Sequence, residues 1–387
     1  MPGTVTRRAP GKLFVAGEYA VLEPGQPAIV VAVDRYVTVT VAAADGADVV
    51  VDSDLLDHEV RLGRSAGGLR ALDPADAGHT RGTLAYLVSV VEVVEALRVE
   101  QGLALAPLRL TIRSRLHERG VKIGLGSSAA VTVAATQALT DHYGMALPPE
   151  TRFRLSLLSS VRIDAGPSGG DLAAGTWHGW LAYRAPDRDA LRRRLRHGGI
   201  AETLCAPWPG FSVQALPPPR DLALRVGWSG SPASTSALVS GLTARPWWRG
   251  PARAGFLAES ERRVNAAVHA LERGEPDTLL DAVRAARHLL ARLDADVSLG
   301  IFTERLNRLC DTAEACGGAA KPSGAGGGDC GIALLPDHHP ASDLRARWAE
   351  AGITTLPLRV TGPAAPPGHE CHDTDPVSAS PSHRGHL

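Results

Sequence analysis

Gly124-Leu125-Gly126-Ser127-Ser128-Ala129-Ala130 stands between an alternating run, Leu108-Arg109-Leu110-Thr111-Ile112-Arg113, and an alanine-rich helical pattern from about 128 to 143. Alternation predicts a strand, so the segment reads as a strand-to-helix turn. Its glycines let the backbone curl until several N–H groups point into one concavity. The helix behind it adds the positive end of its dipole. Two adjacent serines can donate hydroxyls to phosphate, and one can ligate Mg²⁺. No Gly-Lys-Ser/Thr follows, so this is not a Walker A loop. Residues 124–129 formally satisfy the dinucleotide fingerprint Gly-x-Gly-x-x-Gly/Ala. Against that, the segment lies mid-chain without a clear strand-helix-strand unit, and Asp141 matches the expected acidic residue weakly. A helix start with glycines for packing is a third reading. A phosphate loop fits best.

Lysine and arginine together number 41, yet the only lysines are Lys12, Lys122 and Lys321. All three lie in or beside glycine-rich segments, where a compact, rotatable ammonium suits phosphate. Lys321-Pro322-Ser323-Gly324-Ala325-Gly326-Gly327-Gly328-Asp329-Cys330-Gly331 feeds directly into Ile-Ala-Leu-Leu, an apolar strand pattern. Five of the eight residues from 324 to 331 are glycine, so the segment permits close backbone approach and packs no core of its own. Ala9-Pro10-Gly11-Lys12-Leu13-Phe14-Val15-Ala16-Gly17-Glu18-Tyr19 carries a lysine into a short apolar strand. Ser168-Gly169-Gly170-Asp171 opens another apolar stretch. On the residues alone Asp171 is open to three roles: helix cap, metal ligand or base.

Around these motifs the pattern predicts strands over 4–52 and helices over 81–98, 128–143 and 150–162. A strand is expected over 177–183. Residues 186–220 read as a connection with a short arginine-rich helix near 188–197 and a break at Pro217-Pro218-Pro219. A strand over 221–228, helices over 256–273, 276–293 and 302–315, and strands over 329–335 and 355–360 framing a helix over 341–351 complete the pattern. Two α+β domains follow, 1–185 and 221–362, with a polar, disordered tail over 363–387.

The chain has 387 residues, 44% of them hydrophobic, and zero net charge. That balance argues against a nucleic-acid or membrane-surface role. No run approaches the length of a transmembrane helix, and the N-terminus does not read as a signal peptide. Five cysteines without Cys-x-x-Cys spacing suit a reduced cytoplasm. His338-His339 lies in Pro-Asp-His-His-Pro, a loop signal.

In order and spacing, the four segments resemble the family of galactokinase, homoserine kinase, mevalonate kinase and phosphomevalonate kinase, from about residue 8 to 360. The resemblance implies an α+β fold of two domains. The first would be ribosomal-protein-S5-like, with a left-handed β-α-β unit; the second would be ferredoxin-like, with the active site between them. Within the family, Gly17-Glu18-Tyr19, Gly-Gly-Gly-Asp329-Cys330-Gly331 and Val226-Gly227-Trp228-Ser229-Gly230-Ser231-Pro232-Ala233-Ser234-Thr235 are most similar to the phosphomevalonate kinases of actinobacterial type. That implies phosphorylation of (R)-5-phosphomevalonate by ATP to (R)-5-diphosphomevalonate, in the mevalonate pathway of isoprenoid biosynthesis. The implied partners are ATP, Mg²⁺ and the small-molecule acceptor, for a cytoplasmic monomer or homodimer that binds neither nucleic acid nor membrane. A mevalonate kinase or another small-molecule kinase of the same family, and a non-catalytic nucleotide-binding regulator, are the alternatives.

The resemblance also implies roles. Gly124, Leu125, Gly126, Ser127, Ser128 and Ala129 would cradle the ATP phosphates, with Ser128 on the metal. Lys12 and Asp171 would be catalytic and paired. Tyr19, Ser168, Gly170, Ser231, Ser234, Thr235, Lys321, Ser323, Gly324 and Ala325 would line the substrate. The chain departs from the family pattern at Gly166-Pro167, where a basic residue is expected. It departs again at Gly175 and His178, in place of serine and glycine, and at Arg162, in place of an acidic residue that would supply a second metal ligand. Asp164 is the nearby substitute.

Overall fold

The computed structural model describes residues 3–118 and 121–364. The expected tail lies, beyond Ala364, outside the described residues. In the first half, chain order runs β1 (Val5–Ala16), β2 (Pro27–Ala43), β3 (Val49–Ser53), β4 (Val60–Ser65), β5 (Gly68–Ala71), α1 (Ala77–Arg81), α2 (Ala85–Glu100), β6 (Leu108–Ser114), β7 (His117–Glu118) and β8 (Val121–Lys122). It continues through α3 (Ser127–His142), α4 (Pro149–Ile163), α5 (Gly170–Trp177), β9 (Trp180–Arg184), α6 (Arg188–Cys205) and β10 (Ser212–Leu216). The second half holds β11 (Leu222–Trp228), α7 (Thr235–Thr243), α8 (Pro251–Arg273), α9 (Pro276–Val297), α10 (Glu304–Ala315), β12 (Ala319–Pro322), β13 (Cys330–Pro336), α11 (Ala341–Glu350) and β14 (Thr354–Leu356).

The fold is mixed α+β, built on two sheets. The first runs β10-β9-β2-β6-β3-β4-β5, with β1 also paired to β2. β2 is buried on both faces from Pro27 to Val33, which is why that run is apolar without alternation. β3 and β6 pair in parallel, and α2 lies in the crossover between them. Register shifts at Pro10/Gly11 and Phe14/Ala16 bracket Lys12 in β1. A bulge of this kind re-aims side chains beside a site. α3 packs on β1 and β2 through small residues, among them Ala130, Ala134, Ala135 and Ala138. Its threonines Thr132, Thr136 and Thr140 each return a hydroxyl to the carbonyl four residues back, at 2.8 Å.

The second sheet runs β12-β13-β11-β14, and all its pairs are antiparallel. With helices between β11 and β12 and between β13 and β14, this is the βαββαβ order of a ferredoxin-like unit. Leu309, Trp348 and Ile353 form the core of one face. Among the described residues, no helix is long and apolar enough to cross a membrane.

Several elements differ from the sequence reading. The helix expected over 81–98 is two helices, interrupted at Gly82. The strand expected over 177–183 begins only at Trp180, because α5 runs to Trp177 and His178 ends it at φ 60°. The strand expected over 355–360 covers Thr354–Leu356; Val360 then bridges back to Val33 of the first sheet. Residues 186–220, read as a connection, carry the long α6 and then β10, an edge strand of the first sheet paired with β9.

Candidate active site

Gly124 and Gly126 both take positive φ, 80° and 77°. Space demands glycine as strongly as conformation does. A Cβ on Gly124 would lie 2.4 Å from the Asp329 Cβ of the second domain, and one on Gly126 would lie 3.0 Å from the Lys12 Cε. Gly126 caps α3 without a side-chain acceptor, so the first-turn N–H groups have no capping partner. Ser127 and Ser128 are half-buried in that turn. Neither hydroxyl hydrogen-bonds within the protein among the described residues, and both face a cleft of about 420 Å³.

Lys12 enters the same cleft from β1. Its backbone N–H donates to Leu125 O at 2.9 Å, and its Nζ donates to Gly124 O at 3.4 Å. Asp171 lies in the first turn of α5, whose cap is Gly169, so the cap role falls away. Its Oδ1 accepts the Leu172 N–H at 3.0 Å. Gly126 is wedged between the two side chains: its missing Cβ would also lie 3.7 Å from the Asp171 Cβ. Among the described residues no ion pair joins Lys12 to Asp171; the expected pair is a facing arrangement across Gly126.

The opposite wall comes from the second domain. Gly324 and Ala325 follow β12, and Ser234, Thr235 and Ser236 start α7. Tyr19 reaches this wall from the first domain with φ 62°, a backbone that costs a tyrosine energy. Its hydroxyl donates to Ala325 O at 2.5 Å. Burial, with Asp294 and Glu18 adding, pushes its phenol up. Ser168 also lines the cleft.

Four expected substrate contacts stand elsewhere. Lys321 is fully buried; its ammonium pairs with Glu18 and donates to Pro322 O at 2.7 Å. The Ser323 Oγ donates to Phe14 O at 3.0 Å and accepts the Phe14 N–H at 2.8 Å, so it staples the domains together. Gly170 is buried behind the cleft, where a Cβ would meet Phe14 Cζ at 3.0 Å. Ser231 is exposed, and its carbonyl accepts the Asp329 N–H at 2.8 Å. Arg162 turns to Glu92 at 2.9 Å, and the Asp164 Oδ1 accepts the Gly166 N–H at 2.8 Å. Gly175 lets α5 approach α3, since its Cβ would meet Val133 Cγ2 at 3.2 Å.

Other residues enter the cleft without having been assigned to it. Lys122, Tyr86 and Asp329 all line it. Asp329 was visible inside a glycine-rich run and Lys122 beside one, whereas Tyr86 carried no motif. Burial, then Asp164 and Asp171, push the Tyr86 phenol up. A second chamber, of about 470 Å³, adjoins the first. Its walls mix apolar Leu55, Leu84, Leu87, Ile112 and Val131 with polar Ser53, Thr83, Ser114 and His117. The Ser114 Oγ lies 3.2 Å from His117 Nδ1, and burial, with Lys122 adding, lowers the imidazole pKa. Tyr86, Lys122, Ser127 and Ser128 line both chambers and form the neck between them. The arrangement suits an apolar, ring-bearing group in the second chamber and an anionic one beside Lys12 in the first. Phosphate would lie across the neck, at a helix N-terminus.

The family model of the GHMP kinases N terminal domain matches residues 86–179, and that of the GHMP kinases C terminal matches residues 267–354. A phosphomevalonate kinase from a Streptomyces species is 52% identical over 362 residues, 92% of this chain and 96% of that one. Among solved structures, a Listeria innocua protein superposes with a TM-score of 0.85 at 30% identity, covering 95% of this chain and all of that one. The Streptococcus pneumoniae phosphomevalonate kinase, solved in complex with phosphomevalonate and AMPPNP, gives a TM-score of 0.80 at 29% identity, covering 92% and 100%.

Proposed function

The chain belongs to the GHMP kinases, and we infer that its cleft moves the γ-phosphoryl group of ATP onto (R)-5-phosphomevalonate, giving ADP and (R)-5-diphosphomevalonate. The reaction is a step of the mevalonate pathway. The identity to the Streptomyces enzyme across nearly the whole chain carries the choice of acceptor. The two-chambered cleft supports the division of labour. The second chamber, without Lys12, Asp171 or Asp329, takes the nucleoside, and the chamber holding them takes the acceptor.

The triphosphate crosses the neck, where the free N–H groups and hydroxyls of the first turn of α3 receive it. Lys12 and Lys122 set two ammoniums against charge that spreads over the transferring group. The Ser128 hydroxyl, free of a protein partner among the described residues, would be the ligand for a Mg²⁺ ion, with the Asp171 carboxylate on the same cleft. When bound, the ion neutralises charge on the β- and γ-phosphates. The acceptor is a phosphomonoester with a second pKa of about 6, so near neutral pH its oxygen is already charged. Asp171 therefore orients rather than deprotonates. Ser168, Ser234 and Thr235 offer hydroxyls to the acceptor, and Tyr19 offers its ring, its hydroxyl being held by Ala325. We place the reaction in the cytoplasm, where ATP is supplied.

Purified enzyme given ATP with either 5-phosphomevalonate or mevalonate tests the reading by ³¹P NMR of the products. A new diphosphate resonance with 5-phosphomevalonate, and far slower turnover of mevalonate, is expected. Faster turnover of mevalonate would overturn the assignment of the acceptor.

A further inference from the structure

Asp329 closes the glycine run of the second domain and sits at a three-way junction. Its backbone N–H donates to Ser231 O at 2.8 Å, and its carbonyl accepts the Ser229 N–H at 2.9 Å. Its Oδ1 accepts the Ala233 N–H at 3.0 Å. One residue thus ties down the 229–233 turn at three points, immediately before Ser234 caps α7 through the Ala237 N–H. The other face of the same side chain fills the space that a Cβ on Gly124 would need. Asp329 holds this position at φ 52°, in the left-handed region that aspartate, asparagine and glycine tolerate best.

Ala233, Ser234, Thr235, Ser236 and Asp329 line the first chamber and are absent from the walls of the second. We propose that Asp329 is a positioning residue that holds the 231–236 segment in register with the glycine–serine loop, and so sets the affinity for the acceptor rather than for ATP. The inference rests on the reading of the first chamber as the acceptor's. Burial pushes the carboxyl up, and the Ala233 N–H, followed by Lys12 and Lys122, the cations facing it from β1 and β8, only partly offsets this. The useful features are an acceptor oxygen for Ala233 and a side chain of this shape against Gly124.

Two variants separate these features. Asp329→Gly keeps the backbone conformation and its two main-chain hydrogen bonds but deletes the side chain. Asp329→Asn keeps shape, φ tolerance and the acceptor oxygen but removes the charge. KM for ATP, KM for the acceptor and kcat are measured on the full chain for both, with the acceptor that wild type turns over fastest and with melting temperature as a control for folding. The expected result for Asp329→Gly is an acceptor KM raised about tenfold or more with KM for ATP nearly unchanged, since misplacement by an ångström can cost that much. Asp329→Asn should restore most of it. Equal rises in both KM values, an unchanged acceptor KM, or an Asn variant as impaired as the Gly variant would overturn the proposal. A wild-type preference for mevalonate would instead count against the acceptor assignment and leave this comparison readable.

Discussion

Ser128 follows a glycine cap and carries a hydroxyl with no protein partner among the described residues, so folding and chemistry can be separated there. Ser128→Ala should lower kcat roughly 100-fold or more, the cost of one transition-state contact. Melting temperature should barely move, because Gly126 and not Ser128 is the cap. Normal turnover with a lowered melting temperature would reject the metal-ligand role. Asp171→Asn distinguishes orientation from proton abstraction. An acceptor that is already ionised gains little from a base, so the defect should persist well above pH 6. The wild-type rate should follow the second ionisation of the substrate phosphate, at about that pH. Recovery of the variant at high pH would show that deprotonation was the missing step, which in other enzymes contributes roughly 10²–10⁴-fold. At this scale the sequence was readable where glycine and charge stand side by side, as at Lys12 and Gly126. It misled at Lys321, which has the same glycine-rich surroundings as Lys12. Whether such an ammonium faces the cleft or lies beneath it depends on Glu18, 303 positions away.

α7 is the element most exposed to a local change. It spans nine residues, and Leu242 alone of them is buried. A helix that short is not stable by itself. Its cap, Ser234, accepts the Ala237 N–H at 3.3 Å. Ser234→Ala should cost the helix about 1 kcal/mol. Amide hydrogen exchange over 235–243 should then speed up about fivefold, while exchange in α3 and the global melting temperature stay near wild type. Uniform acceleration throughout the chain would mean that α7 is packed more tightly than its single buried side chain indicates. α7 itself was not legible, since its sequence, Thr-Ser-Ala-Leu-Val-Ser-Gly-Leu-Thr, lacks a clear apolar stripe and carries a glycine. The amphipathic α9 and α10 were legible, and so was the alternating β6. β12 is only four residues long, and Lys321 interrupts its apolar pattern. β10 was hidden because its place in the first sheet depends on pairing with β9, which no local pattern announces.

At the scale of the molecule, two α+β domains were readable from element order, but the seam between them was not. Its bonds join residues far apart in the chain: Ser323 to Phe14, Tyr19 to Ala325, and the Cys330 Sγ to Ile123 O at 2.9 Å. Beneath them lies the Lys321–Glu18 pair, both side chains almost wholly out of water. Glu18 Oε1 also accepts the Gly324 N–H at 3.4 Å, whereas its Oε2 is buried without a hydrogen-bond partner among the described residues. The pair thus sets the glycine run of one domain against the first motif of the other, and among the described residues neither charge has a second ion-pair partner. Removing one partner strands the other charge. Lys321→Met should therefore destabilise the protein by about 3–5 kcal/mol, far more than the loss of a surface bridge. Replacing both ions by neutral groups of similar shape should recover much of that loss, because the desolvation cost of the ions disappears with them. Urea melts of Lys321→Met, Glu18→Gln and the double variant, compared at equal slope, measure the coupling. A double variant no more stable than Lys321→Met alone would show that what matters at the seam is the packing of the lysine stem, and that the buried charge on Glu18 is tolerated without it.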